Sequence, residues 1–148
     1  MDNKQEEIYK QFRTHQDKYT YFILAVSASA IAFSVQKTDN LLLEWSLLPL
    51  GLAVICWGYS FFSGCQFLRY IGSTLFANFE LLKVQKGQHK ELSKTPQHIQ
   101  AASEGIYDAI KYNSKKAKTL GINQFRFLIA GAIFFITWHI TEMIIRSV

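Results

Sequence analysis

Apolar residues follow two rhythms along this chain: long uncharged blocks, and stripes at three- and four-residue steps among charged positions. A helix needs about 20 mostly apolar residues to cross the hydrocarbon core of a bilayer. Residues 19–36 and 45–68 carry no charge, and residues 125–145 carry only Arg126 and Glu142 besides His139. Three membrane-spanning helices are therefore expected. The first block is a little short, and Lys18 and Lys37 can snorkel at its ends. Ser46 reads as the N-cap of the second span, with Pro49 in its first turn, where a missing N–H costs nothing.

The stripes predict helices outside the spans. Leu68, Ile71, Leu75, Phe79 and Leu82 repeat at helical steps, so a helix grows straight out of the second span and ends near Gly87. The polar stretch 87–96 reads as a turn, with Thr95-Pro96 as cap and first position of the next helix. That helix carries Ile99, Ala102, Ile106, Ile110, Asn113, Ala117 and Leu120, and Gly121 is expected to break or bend it before the third span. The two seams suit an antiparallel hairpin, or a bundle built by several subunits. Leu75, Phe79, Ile106, Ile110 and Asn113 form the candidate oligomerisation seam. Asn113 either fixes register there or points to solvent. Ahead of the first span, Ile8, Phe12, His15 and Tyr19 make a stripe expected to pack on the hairpin, the inner leaflet being the other surface open to it.

The expected fold class is all-α: an integral membrane protein with three transmembrane helices and a cytoplasmic helical hairpin between the second and third. Its parts are an amphipathic N-terminal helix (1–18), two spans with a short outer loop (19–68), the hairpin (69–121), and the third span with a short tail (122–148).

Charge orients this arrangement. The chain has 16 lysines and arginines against 11 acids. Fourteen of the 16 flank the inner ends: four before the first span and ten between the second and third. Lys37 and Arg146 are alone on the other side. This asymmetry predicts a multi-pass protein of the cell membrane, with the N-terminus and hairpin cytoplasmic and the C-terminus outside. Trp45 and Trp138 fall at the expected outer interface, Tyr19, Tyr21 and Tyr70 at the inner one. In that setting the net charge of +5 speaks for lipid and topology and not for a specific nucleic acid. Overall, 49% of residues are hydrophobic and 18% charged, the latter below the roughly 25% of soluble domains. Cys56 and Cys65 are nine residues apart, about 13 Å along one helix, too far for a disulfide, and are expected to be buried.

Candidate chemistry is sparse. Ala25, Ala28, Ser29 and Ala32 give the first span a small-residue face, for packing within the subunit or for a subunit seam or pore lining. Gly51, Gly58, Gly64, Ala130, Gly131 and Ala132 offer further close approaches. Glu44, His139 and Glu142 form an interfacial polar cluster, with a pH-sensitive or ion-coordinating role as the sharper reading. Lys115, Lys116 and Lys118 suit anionic lipid of the inner leaflet. No nucleophile–base constellation, phosphate loop or metal-ligand spacing is present, so neither catalysis nor a cofactor is expected.

The expected partners are the bilayer, further copies of the chain, and a cytoplasmic protein or small-molecule ligand. The functional expectation is a small homo-oligomer that forms a pore or alters membrane permeability, its cytoplasmic helices assembling or sensing. By architectural analogy, a bacterial stress or phage-defence effector in the inner membrane fits this design. The alternative is a membrane-anchored adaptor docking a cytoplasmic protein.

Overall fold

A computed structural model describes residues 3–38, 45–88 and 95–147. Their order is α1 (Asn3–Thr38), a short 3-10 turn (Trp45–Leu47), α2 (Leu48–Gln85) and α3 (Pro96–Ser147). All three helices are long and apolar enough to cross a membrane. At 1.5 Å per residue the 38 residues of α2 extend about 57 Å, nearly twice the roughly 30 Å of hydrocarbon. A bilayer crossed by α2 would cover only part of it, and the same holds for α3 with its 52 residues.

The helix ends follow local chemistry. α2 starts behind the 3-10 turn that includes Ser46, so the expected cap gives way to a tighter turn, with Pro49 still in the first helical turn. At the other end Gly87 adopts a φ of +64°. Its N–H donates to the Val84 carbonyl at 3.0 Å, and the Gln88 N–H donates to the Lys83 carbonyl at 2.9 Å. This is a Schellman closure, and a Cβ would strain its left-handed residue. α3 opens at Pro96, with the Thr95 carbonyl accepting from the N–H groups of His98 and Ile99.

The N-terminal segment leads into the first span as the single helix α1. One expectation about continuity changes. α3 runs through Gly121 unbroken, because a glycine inside a long helix costs only about 1 kcal/mol against alanine. Residues 39–44, which include Glu44, and residues 89–94 of the expected polar turn lie outside the described residues.

The chain divides into two compact units. The first comprises residues 1–64 and 121–148, and the second residues 65–120. In the first unit the buried positions of α2 are Leu50, Ala53, Trp57, Ser60, Ser63 and Gly64, which apart from Ser63 alternate steps of three and four. Thr20, Ser27 and Ser34 on α1, and Gln124, Gly131 and Trp138 on α3, recur every seven residues. This 3.5-residue period is that of helices wound in a left-handed sense around one another. In the second unit the buried residues are Phe67, Val84 and Ala117.

Candidate functional site

The first unit is held by polar side chains that face one another inside it. Ser27 of α1 donates to the Ser60 hydroxyl of α2 at 3.3 Å. Ser60 donates in turn to the Gln124 carbonyl of α3 at 2.7 Å. The Gln124 amide returns to the Thr20 carbonyl of α1 at 3.4 Å, closing a circuit through all three helices. One level away, the Trp57 indole N–H donates to the Leu128 carbonyl at 3.2 Å. Ser27, Ser60 and Gln124 are all at most 1% exposed. Where lipid surrounds a bundle, apolar burial gives little drive for helices to associate, so such bonds and close backbone approach do it instead.

Two glycines permit that approach. A Cβ on Gly64 would lie 2.8 Å from the Gln124 Cδ and 2.8 Å from Leu24 Cδ2. A Cβ on Gly131 would lie 2.6 Å from Trp57 Cδ1. Gly51 and Gly58 face open space, so only two of the four glycines singled out above are approach points. None of the serines, nor Gln124, stood out in the sequence. The available signal was the seven-residue recurrence of polar residues inside apolar helices.

Aromatic rings close one end of the unit. Phe135 meets Trp57 at 5.7 Å, Trp138 at 5.6 Å and Phe33 at 6.2 Å between centroids. Trp138 is only 7% exposed and packs inward against these rings, whereas Trp45 is 87% exposed. Beside these rings a cavity of about 460 Å³ is lined by Lys37, His139, Glu142 and Arg146 among others. Arg146 grips Glu142 Oε1 with two nitrogens, each at 3.0 Å. The cavity thus brings His139 and Glu142 together, with Lys37 and Arg146 as neighbours the sequence did not assign to them.

The small face of α1 turns away from this core. Ala25, Ala28, Ser29 and Ala32 are all exposed, on the side of the helix roughly opposite Thr20, Ile23, Ser27 and Ser34. Packing within the subunit therefore does not account for them. The N-terminal stripe is open as well, with Ile8, Phe12, His15 and Tyr19 exposed. Cys65 is exposed, against expectation, and both cysteines are free.

In the second unit the α3 stripe from Ile99 to Leu120, which includes Ile106, Ile110 and Asn113, is half-buried with Ala117 fully buried. The α2 stripe behaves differently. Leu75 is 45%, Phe76 66%, Phe79 54% and Leu82 53% exposed, while Phe67, Thr74, Leu81 and Val84 occupy the packed side. Leu75 and Phe79 thus lie off the face that α2 uses within this unit. Lys115, Lys116 and Lys118 are exposed, with the Lys116 ammonium 5.7 Å from the Tyr112 ring centroid. No family model, no curated protein and no solved structure matches this chain.

Proposed function

We propose that this protein is a homo-oligomeric membrane protein that alters membrane permeability, with the second unit as its assembly or sensing module. One observation carries the reading: the apolar stripe of Leu75, Phe76, Phe79 and Leu82, left open on a part of α2 that also bears Arg69, Glu80 and Lys83. Contiguous apolar surface outside the hydrocarbon marks an interaction site. The exposed small face of α1 supplies a surface on which spans from neighbouring copies can approach closely or line a path. The lysine and arginine asymmetry supports a cytoplasmic second unit and an outward C-terminus. An adaptor that docks a cytoplasmic protein on the same stripe is the rival reading.

The test pairs the mass of the detergent-extracted complex with ion flux in liposomes. Leu75→Asp with Phe79→Asp places carboxylates on the stripe without touching the packed side. The expected result is loss of the oligomer and of flux while insertion persists. Ala28→Leu should weaken assembly more than a bulky change at Ile31, which lies nearer the core side. A chain that is monomeric and never conducts, yet captures a defined protein through the stripe, would replace this reading with the adaptor.

A further inference from the structure

The charged cavity at the end of the first unit adjoins a second concavity. A groove of about 520 Å³ runs along α1 past Phe22, Val26 and Ala30, and shares Phe33 and Phe135 with the cavity. Each volume falls in the range of about 300–1,000 Å³ typical of small-molecule sites. The two compartments differ in chemistry. The groove has an apolar and aromatic lining apart from Ser29. The cavity holds two permanent cations, Lys37 and Arg146, one carboxylate, Glu142, and the imidazole of His139.

We infer that this composite site holds one anionic glycerophospholipid, its phosphodiester against Lys37 and Arg146 and one acyl chain in the groove. Length supports the match. From Phe22 to Phe33 is 11 residues, about 16 Å of helix, and one leaflet contributes about 15 Å of hydrocarbon. Charge supports it too. Glu142 is already committed to Arg146, whereas the Lys37 ammonium rests 5.7 Å from the Phe33 ring centroid, with no carboxylate partner among the described residues. Arg146 spends two nitrogens on Glu142 and keeps further N–H donors for a phosphate. At the wall, the buried Trp138 indole N–H has no acceptor among the described residues. A zwitterionic headgroup would bring its own ammonium to a site that already carries surplus positive charge. The groove borders the small face of α1, since Ala25 and Ser29 also line it, and lipid retention, unlike subunit number, reads the lipid site alone.

Native mass spectrometry of the full chain in neutral detergent tests it, with dioleoylphosphatidylglycerol and dioleoylphosphatidylcholine as probes. One phosphatidylglycerol per subunit should be retained in preference to phosphatidylcholine. Lys37→Gln with Arg146→Gln should weaken phosphatidylglycerol by about tenfold or more and abolish the preference, given about one contact's worth of attraction from each charge. Ala30→Trp should block both lipids by filling the groove, and the charge variant, altered only at the rim, tests the idea even if Ala30→Trp fails to fold. Equal retention of the two lipids, or unchanged retention in the charge variant, would overturn the inference. So would displacement of the lipid by inorganic phosphate, which would mark a simple anion site. A change in subunit number without lipid loss in Ala30→Trp would assign the groove to a second copy.

Discussion

The two units of this chain solve the same packing problem by different means. In the first, side chains reach from helix to helix: Ser27 to Ser60, Ser60 to α3, Gln124 back to α1. In the second, the side-chain bonds of Ser73, Thr74, Asn78, Gln100, Ser103 and Thr119 return to residues four positions away on the same helix. Where its three helices face one another, the first unit turns Thr20, Ser27, Ser34, Ser60, Ser63 and Gln124 inward. The second leaves large apolar groups outside in a charged stretch. In the first unit the groups of the circuit are covered by its own helices, whereas in the second the side chains of Leu75, Phe76, Phe79 and Leu82 stay exposed.

Substitutions can break or sharpen that contrast. The largest effect is expected from Gly64→Leu, which drives a side chain into Gln124 and Leu24. Overpacking of this kind costs about 1–3 kcal/mol, and loss of the Gln124 bond adds to it. Unfolding of the purified protein by a rising fraction of denaturing detergent should show the shift. Ser60→Ala comes next, since it deletes the link between α1 and α3. A cost of about 1–2 kcal/mol is expected by the same titration, as interhelical bonds in membranes average about 0.6 kcal/mol each. An unchanged midpoint would mean that the circuit is incidental to packing. Gly72→Ala in the second unit should act in the opposite direction. Nothing lies within 4 Å of its added Cβ, so the helix gains about 0.5–1 kcal/mol of propensity, visible as slower amide exchange around residue 72. Leu82→Gln should be smallest for the isolated subunit, within about 0.5 kcal/mol, because its side chain is exposed. A loss as large as that of Gly64→Leu would show that the α2 stripe packs within the subunit after all.

How much of this was legible in the sequence depended on the kind of signal. The three long apolar helices were legible because so little charge over about 20 residues has few other meanings. The closure at Gly87 and the start at Pro96 were legible because each residue has a backbone conformation that suits it. The α3 stripe from Ile99 to Leu120 was legible as a packed seam, since its residues are small or aliphatic and regularly spaced. The α2 stripe was equally regular, yet periodicity only says that a face is apolar, not which neighbour covers it. The polar circuit was hidden for a further reason. Hydropathy treats serine and glutamine in a span as mild defects, whereas in lipid they are the groups that distinguish the inside of a bundle from its outside. The inward packing of Trp138 was not legible, because a tryptophan near a span end suits an interface and an aromatic core alike, and only its contact with Phe135 shows it.

The seven-residue recurrence of Gln124, Gly131 and Trp138 makes the bundle a matter of phase as much as of composition. Removing one residue between Gln124 and Gly131 would turn everything beyond it by about 100°, pointing Trp138 off its seam although no apolar residue had been exchanged for a polar one. Removing seven would shorten the helix by about 10 Å and leave the remaining face nearly in line. The phase of this helix thus tolerates the loss of a whole heptad better than the loss of one residue.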